Sequence, residues 1–259
     1  MEYKNLTYVQ EGGLAIITLN RPKAYNALCV ELLSELDHVM SSLEKSREAR
    51  VVIITGGSKV FAAGADITEL MNADTLEAYS NCSNAHRVYD RLEALPFPTI
   101  AAINGAALGG GCELSMCCDF RIVGENSLIG LPEITLGVIP GAGGTQRLTK
   151  LVGPAKAKEM VLLGVPVKGP QAAECGFANK VVADDVVMDE ARKMAAKLME
   201  RPRVALALAK ETINYAVNVD VNTGKSYERA RFAMVFSSAD QKEGMKAFTE
   251  KRKPVFTHE

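Results

Sequence analysis

Two glutamates carry the clearest chemical signal in this 259-residue chain. Glu113 closes the run Leu108-Gly109-Gly110-Gly111-Cys112-Glu113, and Glu133 follows Pro132 shortly before Gly141-Ala142-Gly143-Gly144. Paired carboxyls can act as acid and base in moving a proton onto or off carbon. Glycine lets the main chain approach a ligand because no Cβ stands in the way. Where the glycine run passes into a helix, the first N–H groups are unpaired and the helix dipole favours negative charge. An acyl oxygen that gains charge during reaction would be stabilised there, and losing one such donor typically costs about 10²–10³ in rate. The same three glycines would also serve tight helix–sheet packing; this stretch alone admits both readings. A second small-residue turn, Phe61-Ala62-Ala63-Gly64-Ala65-Asp66, would offer another N–H at Ala65, or be an ordinary strand-to-helix turn. Pro132 restricts Leu131 to an extended form, which places Glu133 on a rigid loop. Carboxyls facing one apolar site differ in protonation, because like charges push their pKa values apart.

Elements that could position these groups are readable from periodicity. Ile- and Val-rich runs at Leu14–Leu19, Val51–Thr55, Thr99–Ile103, Phe120–Val123 and Lys180–Val182 predict buried strands. Between them, Val30–Leu43 sets Leu32, Leu33, Leu36, Val39, Met40 and Leu43 on one helical face. A further helix is expected over Thr75–Leu95, ending before Pro96 and Pro98. Alternating strands and helices indicate an α/β core. The last third is helical in pattern: Asp189–Glu200, Ala205–Val219 and Tyr227–Phe248. A local restart is expected within the last stretch, with Asp240 as N-cap and Glu243 as its capping-box partner.

Composition narrows the chemistry. Thirty basic and 31 acidic residues leave a net charge of −1, so no overall field favours nucleic acid or an anionic membrane. Trp is absent, which removes the strongest base-stacking side chain. Six cysteines at 29, 82, 112, 117, 118 and 175 match no zinc spacing and read as free thiols in a reducing cytoplasm. No basic segment followed by an apolar one suggests a signal peptide, and no apolar run approaches a membrane span. The glycine loops fit neither G-x-G-x-x-G nor G-x-x-x-x-G-K-[ST], which argues against nucleotide chemistry. His38, His86 and His258 form no metal or hydrolase motif, and His38 and His258 read as surface residues.

Taken together, four stretches resemble the crotonase (enoyl-CoA hydratase/isomerase) superfamily. They are Asn20-Arg21-Pro22-Lys23-Ala24-Tyr25-Asn26-Ala27-Leu28, Phe61 to Asp66, Asn104 to Glu113, and Pro140-Gly141-Ala142-Gly143-Gly144-Thr145-Gln146-Arg147-Leu148. Gly244 to Phe248 with Lys251-Arg252-Lys253 resembles the C-terminal end of that superfamily. The resemblance implies a spiral of ββα repeats over residues 1–190 and a helical C-terminal region over 191–259 that builds homotrimers, commonly paired into homohexamers. It implies an acyl-CoA substrate and no separate cofactor, since coenzyme A is part of the substrate; no metal, nucleic acid or membrane partner is expected. By the same resemblance, the N–H groups of Ala65 and Gly110 take the thioester oxygen. Glu113 activates water, Glu133 protonates the α-carbon, and Gly141 helps to position the water. Lys23, Ala24, Ala63, Asp66 and Ile67 would contact coenzyme A.

Retention of both glutamates marks the hydratases of this superfamily, so the expected reaction is syn addition of water to a 2-enoyl-CoA. The rivals are an enoyl-CoA isomerase, another lyase or hydrolase of the fold, and an idle CoA-binding protein. Many close hydratases carry Gln where this chain has Leu131. If that side chain faces the site, acyl preference should differ. β-Oxidation, fermentative dehydration and dienoyl or aromatic degradation are all compatible with these residues.

Overall fold

A computed structural model describes residues 3–46 and 48–258. Strands β1 (Leu6–Glu11) and β2 (Leu14–Leu19) form an antiparallel hairpin that turns at Gly12, where φ is +56°. Helix α1 (Val30–Lys45) follows, and Cys29 caps it by accepting from the Leu32 N–H. All six leucine, valine and methionine side chains expected on its inner face are buried, each worth about 1.5–3 kcal/mol relative to exposure.

The chain then winds in repeated turns. Strand β3 (Val51–Thr55) leads to the short α2 (Ile67–Leu70) and to α3 (Thr75–Ala94), which starts with a capping box of Asp74 and Glu77. The next turn is β4 (Thr99–Ile103), β5 (Ala106–Leu108) and α4 (Gly110–Met116). Another is β6 (Phe120–Gly124), β7 (Leu128–Gly130), a 3₁₀ turn over Pro132–Leu136, and α5 (Gly144–Leu162), which is kinked at Gly153-Pro154. Strand β8 (Val167–Lys168), α6 (Gly169–Glu174) and β9 (Lys180–Val182) complete the winding. One sheet collects β1-β2-β3-β4-β6-β9, parallel from β2 onward; a second collects β5-β7-β8. This is the expected spiral of ββα turns.

The large sheet is buried on both faces, with a period of two. Ile17, Val52, Ile54, Ala101, Ile103 and Val123 face the larger apolar cluster, shared with α1, α3, α4 and α5. Ile16, Val51, Ile53, Ile100, Ala102 and Ile122 face a smaller one. Helix α7 (Val187–Met199) covers that second face with Val187, Ala191 and Ala195. The boundary expected between residues 190 and 191 thus falls inside a helix that packs on the sheet.

Helices α8 (Arg203–Ala216), α9 (Val221–Val235) and α10 (Ala239–Thr249) come last. Neither α8 nor α9 has a fully buried residue, and Ile213, Val217, Phe232 and Phe248 are exposed. The stretch expected as Tyr227–Phe248 is two helices, and the restart differs from expectation. Ser238 is the N-cap, accepting from the Gln241 N–H. Asp240 instead turns inward, 1% exposed, and accepts from the N–H groups of Thr257 and His258 at 2.7 and 2.9 Å. Glu243 accepts from Arg252 and from the Val255 N–H. A carboxylate that finds N–H donors from the returning tail has a stronger use than a cap position. His258 is accordingly half-buried between Asp240 and Arg50, not a plain surface residue; His38 is exposed, as expected.

Candidate active site

Two small-residue turns meet because short bridges fix their register. Ala62 pairs with Ala107, donating to Ala106 O and accepting from the Leu108 N–H, both at 3.0 Å. Leu28 pairs with Ala65 in parallel fashion: its N–H donates to Gly64 O and its carbonyl accepts from the Asp66 N–H. In a parallel bridge, the residue opposite directs its own N–H to the other side. Ala65 therefore points its N–H away from Leu28 and toward the start of α4. The Ala65 nitrogen lies 3.4 Å from where a Cβ on Gly110 would be, so the two nitrogens are neighbours. Among the described residues, no backbone acceptor takes the N–H of either Ala65 or Gly110. The packing reading of the glycine run holds: a Cβ at Gly111 would collide with the Ala62 carbonyl.

Helix α4 is buried throughout, and Glu113 is 2% exposed. Its Oε1 accepts from the N–H groups of Ala142 and Gly144, at 2.8 and 2.7 Å. Burial pushes its pKa up. The two N–H donors, His86 and Arg147 oppose that shift. Such donors favour the carboxylate form.

Glu133 sits at the start of the 3₁₀ turn, on rigid backbone as Pro132 implies. Its Oε1 lies 3.1 Å from where a Cβ on Gly109 would stand, so the carboxyl rests against the glycine that precedes Gly110. Gly109 has φ +48° and ψ −126°, a conformation that glycine alone adopts readily. Among the described residues, the Glu133 Oε2 is buried with no hydrogen-bond partner. Burial raises its pKa to about 7; its own N–H opposes this and Glu113 adds to it. The two carboxyls thus share a site and differ in what surrounds them.

Gly141 faces Cys82 of α3, whose Sγ lies 2.9 Å from where a glycine Cβ would be. It belongs to the same loop as the donors to Glu113. Leu131 is fully buried in the larger apolar cluster, so it acts as a packing residue. The segments expected to contact coenzyme A run side by side: the Ala63 N–H donates to Tyr25 O at 3.1 Å. Lys23, Ala63 and Ile67 are exposed and Ala24 half-exposed, but the Asp66 carboxylate is engaged, paired with Arg21 at 2.9 Å and capping α2 through Thr68.

Two residues of the site escaped the sequence reading. Tyr89, 1% exposed on α3, donates its hydroxyl to Gly110 O at 2.8 Å. Arg147 reaches from α5 to Asp90 and Glu93 on α3 and to the Ala142 carbonyl. No local signal marks Tyr89; Arg147 stood in a quoted motif with no role attached.

Residues 9–259 match the family described as enoyl-CoA hydratase/isomerase. A short-chain-enoyl-CoA hydratase from Clostridium acetobutylicum is 44% identical, covering 98% of this chain and 97% of the relative. A crotonyl-CoA hydratase from Syntrophomonas wolfei is 41% identical, covering 99% of each chain. The crystal structure of an enoyl-CoA hydratase subunit from Geobacillus kaustophilus superimposes with a TM-score of 0.96 at 40% identity, covering 100% of both chains.

Proposed function

This chain belongs to the enoyl-CoA hydratase/isomerase family, and from that premise we propose that it is an enoyl-CoA hydratase, adding water reversibly and syn across the 2,3-double bond of a 2-enoyl-CoA. The observation that carries the reading is the contrast between the two carboxyls: Glu113 accepts two N–H bonds, while Glu133 Oε2 is buried without a partner. The first arrangement favours a base and the second an acid. Glu113 takes a proton from water as the oxygen bonds to carbon 3. The displaced electron pair moves through carbon 2 to the thioester oxygen, where the N–H groups of Ala65 and Gly110 stabilise it. Glu133 then gives its proton to carbon 2, yielding a 3-hydroxyacyl-CoA. Gly141, on the loop that holds Glu113, leaves room for the water. Lys23, Ala24, Ala63, Ile67 and the Asp66 backbone form the approach for coenzyme A, which is part of the substrate, so no separate cofactor is invoked.

The reaction is a step of fatty-acid β-oxidation. The exposed apolar residues of α8, α9 and α10 support association into homotrimers and their pairing into homohexamers. Six free thiols, four of them buried, suit a reducing compartment, and we assign the protein to the cytoplasm; a relative from Pongo abelii is named mitochondrial. Among the described residues, no helix is long and apolar enough to cross a membrane. The test is direct. Purified protein mixed with crotonyl-CoA should abolish the enoyl absorbance and yield 3-hydroxybutyryl-CoA. No loss of absorbance with crotonyl-CoA or longer 2-enoyl-CoAs, together with conversion of a 3-enoyl-CoA to its 2-enoyl isomer, would overturn the reading in favour of an isomerase.

A further inference from the structure

Glu113 is held by the loop that leads into α5. Both N–H donors to its carboxylate, Ala142 and Gly144, lie on a glycine turn, with Gly143 between them at φ +96°. A second side chain, besides that of Glu113, clamps the turn. Arg147, 16% exposed, donates through Nη1 to Ala142 O at 3.2 Å, and through Nε and Nη2 to Glu93 at 3.0 and 2.7 Å. Nη2 also reaches Asp90 at 2.7 Å. The guanidinium lies so close over the turn that a Cβ at Gly143 would collide with it. The Ala142 residue is thereby held at both ends, its N–H by Glu113 and its carbonyl by Arg147.

We propose that Arg147 is the positioning residue of Glu113, tying the loop that orients this carboxylate to the acidic pair Asp90 and Glu93 on α3. The inference rests on the hydratase reading above for the role of Glu113, and extends it to a residue that touches no substrate. The planar fork of arginine suits this task, since its donors are spread over three nitrogens and reach two carboxylates and a carbonyl together, whereas the three donors of an ammonium radiate from a single nitrogen. The guanidinium also bears on the ionisation of Glu113. The groups that face this carboxyl are His86 and Tyr89 from α3, Arg147 from α5, Glu133 from the 3₁₀ turn, and Cys112 and Cys117 on its own helix. Among them Arg147 and His86 favour the charged form.

The test compares Arg147→Gln, Arg147→Lys and Glu93→Gln with the wild type on crotonyl-CoA. Arg147→Gln should lower kcat by about 10²-fold, the scale of a small misplacement of a reacting group, with KM little changed. The acid limb of kcat/KM should move to higher pH, because a cation that favours ionised Glu113 is gone. Arg147→Lys should return the limb toward its wild-type position and restore kcat only in part. Glu93→Gln, which keeps the guanidinium but removes the carboxylate beside it, should lower kcat by less and move the limb to lower pH, and it carries the test if Arg147→Gln fails to fold. Wild-type kcat and an unmoved limb in the folded variants would overturn the proposal. So would equal losses in Arg147→Gln and Arg147→Lys with the limb in place, the mark of packing alone. Should the wild type itself fail to hydrate crotonyl-CoA, the functional reading falls instead. Infrared titration of the Glu113 carboxyl, with Glu113→Gln as subtraction reference, then tests the coupling: Arg147→Gln must raise its pKa, and an unchanged value overturns the proposal.

Discussion

Glu113 and Glu133 are the same side chain in two different settings. Glu113 stands in the first turn of a buried helix and meets two N–H donors on a loop clamped by Arg147. Glu133 stands on a partly exposed 3₁₀ turn, and one of its oxygens is buried with nothing to bond. Burial alone raises both pKa values. What separates them is donor count: N–H groups stabilise a carboxylate, and an orphan oxygen does not. In the proposed reaction, the backbone around each carboxyl is what makes one the acid and the other the base.

The most severe way to break this comparison is to remove each carboxyl in turn. Glu133→Gln and Glu113→Gln should each reduce crotonyl-CoA hydration by about 10²–10⁴-fold, while binding of coenzyme A, followed by calorimetry, survives. Undiminished turnover in either variant removes that residue from the chemistry. Next in size is the contact between Gly109 and Glu133. Gly109→Ala would set a Cβ 3.1 Å from Glu133 Oε1 and force a positive φ on an alanine. Turnover should fall by about 10²-fold, with less effect on Glu113-dependent features such as the acid limb.

Titration sharpens the contrast further. Hydration neither takes up nor releases a proton overall, so the singly protonated pair is the active form in both directions. With Glu133 at about 7, kcat/KM should be level between the acid limb set by Glu113 and that value, and fall above it toward a slope of about tenfold per pH unit. The dehydration direction should show the same alkaline limb, and Glu133→Asp should displace it. A profile flat to pH 9 would contradict the assignment of Glu133 as the acid.

The smallest expected effect is on stability. The folded-state pKa of Glu133 lies above its ordinary 4.5. The folded protein therefore holds a proton that the unfolded chain has lost, and stability declines as pH rises from about 4.5 through about 7. Glu133→Gln lacks this loss. Its Tm should match the wild type at pH 4.5 and exceed it by about 2–4 °C at pH 8. Equal Tm values at both pH values would show that the buried oxygen is solvated in solution.

Strands β2, β3, β4 and β6 were legible because each is a mostly apolar run of five or six residues containing Ile or Val, β9 only through the pair Val181-Val182, and α1 because its apolar face repeats at helical spacing. Strands β5, β7 and β8 are only two or three residues long, too short for any period to show. Strand β1 was missed although its burial alternates, since the polar-tipped Tyr8 and Gln10 occupy inward positions and the apolar Val9 an outward one. At the C-terminus, Asp240 looked like a cap from local pattern and proved to hold the tail, a contact 17 residues away.

The sequence by itself determined the chemistry-bearing groups and the local backbone: glycines where the chain must come close, a proline that stiffens the approach to Glu133, and carboxyls within apolar or rigid surroundings. These are properties of residue type and near neighbours. Only the tertiary structure decided which N–H groups meet, that Glu113 has two donors and Glu133 Oε2 none, and that Arg147 fastens the loop to α3. Those contacts span 29 to 57 residues of chain, and their geometry is set by the register of strands and bridges that no local pattern encodes.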